Sequence, residues 1–288
     1  MRQLFIFLII LIATNVYGQS FEERAAILTC DCLKKQKKID DVKYRECLSN
    51  SLTEVIAKNG NPDDLSKIET IEGMQNTLSK VDSIVSLTCV LLSEKELEEK
   101  RKIFYSDSKN KSVQNSFIIG NDMMRDKEYD IAIENYNFAL SEDSTFVPAL
   151  DNMAACYKQL GDFENAIKYY NKSLSIYPEG EFALMNIGVI YTKLSEFEIS
   201  NKYYMRLTQL YPNNPEGYYG LGKNYILLGK FEKGLENISI AHKIYKETKS
   251  DYVQDTEKVI EIVRQMMKKT NQEEEFYKLA KKYGLETK

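Results

Sequence analysis

The sequence has no tryptophan, a single histidine and five prolines among its 288 residues. The lone His242 leaves little room for histidine-ligated metal sites or histidine acid–base pairs. The 39 Lys and Arg and 43 Asp and Glu residues are mixed along the chain, and the formal net charge is -4. Nucleic-acid binders need a clustered excess of basic residues, so nucleic acid is not an expected partner.

The sequence also lacks the short motifs of the common enzyme classes. It contains no Gly-rich phosphate loop, no Gly-x-Ser-x-Gly elbow and no His-Glu-x-x-His pair. No partner groups can be named that would make His242 catalytic, so a packed or surface histidine is expected. Carboxylates are abundant but lie mostly at helix-surface spacing beside lysines, which is typical of a solvated face. We therefore predict a protein that is not an enzyme and has no metal or cofactor.

The first residues have the layout of a signal peptide. Arg2 precedes an apolar run from Leu4 to Ala13, and Gly18 is a small residue at the expected cleavage point. The run is too short to span a bilayer, although an uncleaved anchoring helix is the alternative. No cysteine follows it directly, which argues against a lipoprotein. We predict a signal peptide over residues 1–18 and a mature chain without a transmembrane segment, in the periplasm of a bacterium or secreted from it.

Five columns of residues recur when the second half of the sequence is shifted by 34 residues. The columns consist mostly of small and aromatic residues: Gly120, Ala154, Gly188 and Gly222; Met123, Tyr157, Tyr191 and Tyr225; Ala132, Ala166, Ser200 and Gly234; Tyr136, Tyr170, Tyr204 and Ile238; Ala139, Ser173, Leu207 and Ala241. Each unit is predicted to be two antiparallel helices, and the small residues let their backbones approach closely. Because one unit cannot bury its apolar face alone, the units must stack. Phe163, Phe197 and Phe231 are expected to open the second helices.

This period and these columns resemble the tetratricopeptide repeat. The resemblance covers four units over residues 113–248, and Leu207 departs from it by being large where alanine is usual. It implies an all-α fold, an α-solenoid of helix–turn–helix repeats with a concave inner face. Residues 249–288 have lost the columns and are expected to form C-terminal capping helices.

In proteins that this chain resembles, ligands lie along the concave face, which is lined by the first helix of each repeat. The resemblance therefore implies a groove that binds a protein or peptide segment. Carried over to this sequence, the ligand-binding positions are Phe117, Asn121, Met124, Asp151, Asn152, Lys158, Phe182, Met185, Asn186, Lys193, Tyr219 and Lys223, with Arg125, Ala155, Val189 and Ile226 beside them.

Three asparagines of this set, Asn121, Asn152 and Asn186, are predicted to hold the backbone of an extended peptide, because an amide both donates and accepts. Asn121 and Asn152 also match two positions of the carboxylate clamp found in chaperone-binding members of the family. Phe117 stands where that clamp has its first lysine, and its later basic positions hold Phe182 and Asn186. We therefore expect a segment with apolar side chains instead of an acidic chain terminus. The alternative is that these asparagines are polar residues merely tolerated on an open face.

Residues 19–110 do not follow the repeat and are predicted to form a helical, cysteine-containing module and a linker. Their apolar spacing predicts helices near 20–38, 42–58 and 66–92. A further charged helix is expected to begin at Ser93 with a capping box.

Four of the five cysteines lie in this module, at Cys30, Cys32, Cys47 and Cys89. With an export signal, an even set of cysteines argues for two disulfides. Cys30 and Cys32 point to nearly opposite sides of a helix, so each needs its own partner. Helical-wheel positions favour Cys32–Cys89 with Cys30–Cys47 over the swapped pairing. A zinc site or a redox pair would favour wider cysteine spacing, and Cys156 is expected to be a buried free thiol.

Two functions from different classes are consistent with these features. The first is a non-catalytic exported scaffold that binds a protein or peptide partner in the concave groove. The alternative is a structural envelope component that self-associates as a homo-oligomer through its terminal module or capping helices, without use of the groove.

Overall fold

The computed structural model describes residues 20–36, 41–59, 62–89 and 92–285, and the regular structure in these ranges is helical. The predicted signal peptide, residues 1–18, lies outside the described residues. None of the helices in the described ranges is both long enough and apolar enough to cross a membrane.

The chain divides into two compact units, and the first of them ends at residue 91. Its helices are α1 (Phe21–Leu33), α2 (Asp41–Asn59), α3 (Pro62–Ser66) and α4 (Ile71–Thr88). α1 begins at a capping box in which Ser20 Oγ accepts from the Glu23 backbone N–H, and the Glu23 carboxylate accepts from the Ser20 backbone N–H. α1 then packs against both α2 and α4, so that it lies at the centre of a small helical core.

Two disulfides join these helices, as the cysteine count predicted. Cys30 bonds to Cys89 with a Cα–Cα distance of 5.3 Å, and Cys32 bonds to Cys47 with a Cα–Cα distance of 5.5 Å. The favoured pairing, Cys32–Cys89 with Cys30–Cys47, is therefore wrong, and the swapped pairing is the one present. The reason lies in α1, where Cys30 belongs to the buried stripe that reaches the end of α4. Cys32 is only half-buried and lies on the side of α2.

The second unit begins at residue 92 and contains a single helix, four helix pairs and two final helices over the described residues. These helices are α5 (Glu94–Phe104), α6 (Lys111–Arg125), α7 (Tyr129–Glu142), α8 (Val147–Leu160), α9 (Phe163–Ile176), α10 (Glu181–Lys193), α11 (Phe197–Leu210), α12 (Pro215–Leu227), α13 (Phe231–Glu247), α14 (Val253–Lys269) and α15 (Glu273–Lys282). The pairs stack in chain order, and α9, α11 and α13 begin at the predicted phenylalanines. The all-α solenoid is confirmed.

The columns of small and aromatic residues lie where the helices cross. The Tyr204 ring on α11 lies between two first helices, where Gly188 of α10 and Gly220 of α12 face it. A Cβ atom on Gly188 would lie 2.8 Å from Tyr204 Cε1, and one on Gly220 would lie 2.6 Å from the same atom. Real carbon atoms do not approach so closely, so packing requires glycine at both positions, within one repeat at Gly188 and between neighbouring repeats at Gly220.

Replacing Gly220 by alanine is expected to lower the free energy of unfolding by about 2 kcal/mol, because the added methyl group overpacks the site beside Tyr204. In an exposed helix the same change stabilises by about 1 kcal/mol, so the sign of the effect is diagnostic. Urea unfolding of Gly220→Ala, Tyr204→Leu and the double variant measures the coupling. If the Gly220→Ala cost is unchanged in the Tyr204→Leu background, the contact with the ring is not its cause.

The last two helices cover the apolar end of the fourth pair. Val263 and Met267 of α14 and Phe276 of α15 are buried in one cluster with Leu235 and Ile238 of α13. The lone histidine lies at this junction, where Nδ1 of His242 is 2.7 Å from Thr256 Oγ1. It is thus a packed residue that links α13 to α14.

Candidate functional site

The first helices of the four pairs, α6, α8, α10 and α12, carry the residues that were predicted to line the groove. A cavity of about 230 Å³ lies between α10 and α12. It is lined by Met185, Val189, Thr192, Lys193, Tyr204, Glu216, Tyr219, Gly220 and Lys223, and is called the α10–α12 cavity below. Four of the predicted ligand-binding residues, Met185, Lys193, Tyr219 and Lys223, therefore meet at one place.

Two lysines at this cavity lie over aromatic rings. Lys193 Nζ is 5.8 Å from the centroid of the Phe163 ring, and Lys223 Nζ is 5.3 Å from the centroid of the Tyr219 ring. Such contacts between a cation and the face of a ring hold the ammonium group weakly while leaving its hydrogen-bond donors available. Both lysines are exposed.

A third lysine of the groove, Lys158 on α8, is half-buried. Its Nζ donates a hydrogen bond to Oδ1 of Asn186 on α10. Burial lowers the pKa of Lys158, and the nearby positive charge of Lys193 lowers it further. The two ammonium groups therefore lie close enough to repel one another.

The three predicted asparagines hydrogen-bond within the repeat stack. Asn121 Oδ1 accepts from Asn152 Nδ2 at 2.7 Å and from the Tyr136 hydroxyl at 2.7 Å. Asn186 is 2 % exposed, and its amide nitrogen donates to the Phe182 carbonyl at 2.8 Å. The Asn121–Asn152 bond joins the first helices of neighbouring repeats, so these amides align the stack before any ligand is considered.

Phe117 and Met124, predicted at the start of the groove, pack in the first repeat. The Phe117 ring meets Phe146 edge-to-face at a centroid distance of 5.1 Å, and lies 5.9 Å from the Tyr136 ring. Met124 Sδ is 3.6 Å from the Tyr136 hydroxyl. Both side chains are half-buried and support the packing of the first repeat.

Helix α5 lies against the loops that connect the second, third and fourth repeats. Lys100 Nζ is 2.7 Å from Glu179 Oε1, and the Phe104 ring stacks on Tyr177 at a centroid distance of 4.7 Å. Leu97 is the buried residue of α5. From the sequence this helix was predicted to belong to the amino-terminal module, but its contacts group it with the repeats. The aromatic residues Phe104 and Tyr105 at the end of α5 are the feature of the sequence that could have indicated this packing.

Tyr105, directly after α5, reaches a predicted groove residue. Its hydroxyl donates a hydrogen bond to Oδ2 of Asp151 on α8, and Asp151 is 1 % exposed. Tyr105 also lines a second cavity of about 250 Å³ with Phe182 of α10. The remaining lining residues of this cavity are Arg101, Tyr177, Glu181 and Tyr211. Tyr105 therefore covers Asp151, which was predicted to line the groove.

The pKa of the Asp151 carboxyl is shifted from its usual range. Burial raises its pKa to about 6, although the hydroxyls of Ser173 and Tyr105 act in the opposite direction by stabilising the charged form. Burial and the Asp151 charge together raise the pKa of Tyr105. The Asp151–Tyr105 contact is therefore a buried hydrogen bond whose acceptor titrates in the mildly acidic range.

Comparison with known proteins agrees with this architecture. Tetratricopeptide repeat models match residues 149–179 and 183–214. Among solved structures, MamA residues 41-end from Desulfovibrio magneticus RS-1 superposes with a TM-score of 0.52 at 17% identity, covering 62% of this chain and 97% of that one. The MamA RS-1 ArsTM double mutant gives a TM-score of 0.52 at 17% identity, covering 61% and 94%. A search of curated proteins finds no match.

These findings define the class of the protein. The helix pairs, the 34-residue columns and the matched repeats together identify an α-solenoid. The chain contains tetratricopeptide repeats, matched over residues 149–179 and 183–214, and a small disulfide-bonded helical module precedes them in the sequence. The likeness to MamA, at 17% identity, extends to the fold and not beyond it.

Proposed function

We propose that this protein is an exported, non-catalytic scaffold that binds a segment of a partner protein in the concave face of its repeats. The α10–α12 cavity carries the proposal, because apolar and cationic predicted groove residues converge there. Solenoids present such inner faces as extended binding surfaces, with residues contributed by successive repeats. The repeat fold itself supplies no catalytic constellation, so binding is the activity that it supports best.

Export is supported by the chemistry of the first unit. Disulfides persist in the periplasm and outside the cell, where thiols are oxidised, and are rare in the cytosol. The unit carries two, Cys30–Cys89 and Cys32–Cys47. Together with the signal-peptide layout of residues 1–18, they favour the envelope or the exterior of a bacterium.

Affinity capture from an envelope extract of the producing cell tests the binding proposal. The baits are the wild type, Val189→Arg and Ile240→Arg. Val189 lines the α10–α12 cavity, so an arginine there fills it, whereas Ile240 is 37 % exposed on α13 and serves as the matched control. We expect a partner held by the wild type and by Ile240→Arg to be lost from Val189→Arg. A partner retained by both variants would place the binding surface elsewhere.

Self-association is the second candidate function, and one observation favours it. The first repeat exposes a group of large apolar side chains, Ile118, Ile119, Ile131 and Phe138, each between 45% and 52% exposed. Exposed apolar groups of this kind often mark contacts between chains. Sedimentation over a range of concentrations tests the idea. A monomer throughout the range removes it, while a dimer abolished by Phe138→Glu supports it.

A further inference from the structure

We propose that the α10–α12 cavity binds an acidic side chain of an extended partner segment, with a neighbouring apolar side chain of that segment against the cavity wall. The inference rests on the proposed function and names the chemistry of the partner. The lysines that would bind the acidic side chain are Lys193 and Lys223, with Lys158 beside them. None of the three is at a position of the carboxylate clamp described above.

The positive charge of this region is not balanced by the chain. Lys158, Lys193 and Lys223 form no ion pair with a carboxylate within the described residues. Their partners are instead an amide oxygen and the faces of two aromatic rings. A concave surface that gathers charge of one sign attracts a ligand of the opposite sign.

Several lysines elsewhere in the second unit pair with carboxylates. Lys100 pairs with Glu179 at 2.7 Å, Lys258 with Asp255 at 3.0 Å, and Lys282 with Glu232 at 2.8 Å. In a chain with 43 acidic residues, a lysine on a helical surface commonly finds a carboxylate. The three lysines of the groove differ from these in having aromatic rings or an amide oxygen as their partners.

One carboxylate does line the cavity, but it is already engaged. Glu216 Oε1 accepts a hydrogen bond from the Tyr245 hydroxyl at 2.6 Å, which directs it towards α13. Its one negative charge offsets only one of the two positive charges of Lys193 and Lys223, which line the same cavity. A net positive charge remains for a ligand.

The size and walls of the cavity indicate which ligand it fits. At about 230 Å³ it is smaller than the ~300 Å³ of the smallest usual small-molecule sites, so it suits side chains of a longer ligand. Met185, Val189 and Tyr219 give it apolar walls beside the lysines. An acidic residue next to an apolar one, in an extended segment, matches both features.

Fluorescence anisotropy with defined probe peptides tests the inference. The first probe is a labelled peptide in which two glutamates flank one phenylalanine in a glycine–serine background. The others replace both glutamates by glutamine, or both by lysine, or the phenylalanine by glycine. We expect the full-length wild type to bind the glutamate–phenylalanine probe about tenfold more tightly than the glutamine probe, as one carboxylate in contact with both exposed lysines, at about 0.7 kcal/mol for each contact, would give.

The double variant Lys193→Gln, Lys223→Gln is expected to lose this preference, and its affinity should vary less with salt. The matched control is Lys172→Gln, Lys202→Gln, which removes two exposed lysines from the second helices α9 and α11. It should bind as the wild type does. Far-ultraviolet circular dichroism and thermal unfolding establish that all variants are folded.

Equal affinity for the glutamate and glutamine probes, a preference for the lysine probe, or no binding of any probe by the wild type would overturn the inference. So would a preference that survives in Lys193→Gln, Lys223→Gln. Competition by inorganic phosphate as effective as that of the unlabelled peptide would assign the lysines to a free anion instead. None of these results removes the proposed function, because the Val189→Arg capture test does not depend on the charge of the ligand.

Discussion

Replacement of Cys30 and Cys89 by alanine is expected to lower the free energy of unfolding of the first unit by about 4 kcal/mol. The disulfide closes a loop with a sequence separation of 59 residues, and a longer closed loop removes more conformational entropy from the unfolded chain. Small domains have a free energy of unfolding of only about 5–15 kcal/mol, so this loss is a large fraction of the total. Denaturant unfolding followed by circular dichroism, with and without reductant, measures it.

The second disulfide provides the matched control. Cys32–Cys47 closes a loop with a separation of only 15 residues, so Cys32→Ala, Cys47→Ala is expected to cost about 3 kcal/mol. The larger loss is expected for Cys30–Cys89 because, with this pairing, it closes the longer loop. If disulfide mapping instead recovered a peptide linked through Cys32 and Cys89, the pairing and this order would both be wrong.

The repeat architecture was predictable because its signal is distributed over the chain. Tyr136, Tyr170 and Tyr204 recur at fixed spacing because each fills the same space between neighbouring repeats, and all three are buried. Each repeat meets the same packing constraint, so one departure, such as the large Leu207 in a column of small residues, does not hide the pattern. The solenoid therefore follows from the sequence without any knowledge of long-range contacts.

The pairing of the cysteines was not predictable to the same degree. Cys30 and Cys32 are two residues apart on one helix, and the choice between them depends on which stripe of α1 faces α4. Buried Ala26 and Leu33 extend that stripe, but Phe21 and Ala25 are buried too and, with Leu28, drew the helical-wheel argument to Cys32. A difference of one stripe on a helix lies within the uncertainty of periodicity arguments.

The contacts of the predicted groove residues could not be derived from the sequence. The sequence predicted groove positions on α8 and α10, but it could not show that Asn186 is held by Lys158 or that Asp151 is covered by Tyr105. Those contacts join residues 28 and 46 positions apart. They depend on the stacking angle of the repeats and on the path of α5, which local propensity does not determine.

Replacement of Asp151 by asparagine is expected to change how stability depends on pH. The folded-state pKa of Asp151 is about 6, while an unfolded aspartate has a pKa of about 4. The folded chain therefore binds more protons than the unfolded chain between these values, and this carboxyl destabilises the fold increasingly as pH rises from about 4 to about 6. At 1.36 kcal/mol per unit, the contribution is about 3 kcal/mol.

The side chain of the variant Asp151→Asn does not titrate in this range, but its amide oxygen still accepts a hydrogen bond from the Tyr105 hydroxyl. Urea unfolding at pH 4 and pH 8 should therefore show the variant gaining about 3 kcal/mol on the wild type between the two conditions. Asp126→Asn, an exposed position at the end of α6, controls for the loss of one negative charge.

The variant Tyr105→Phe removes the hydroxyl that donates to Asp151 but keeps the aromatic ring that covers it. Without the hydroxyl donor, the ionised Asp151 loses its hydrogen bond, so the folded-state pKa should rise further and the pH dependence should steepen. In the wild type, Tyr105 thus limits the cost of ionising Asp151 and favours attachment of α5 to the repeats at neutral pH. If wild type and Asp151→Asn differ by the same amount at pH 4 and pH 8, the carboxyl does not titrate in the interval, and α5 is held mainly by Phe104, Leu97 and the Lys100–Glu179 pair.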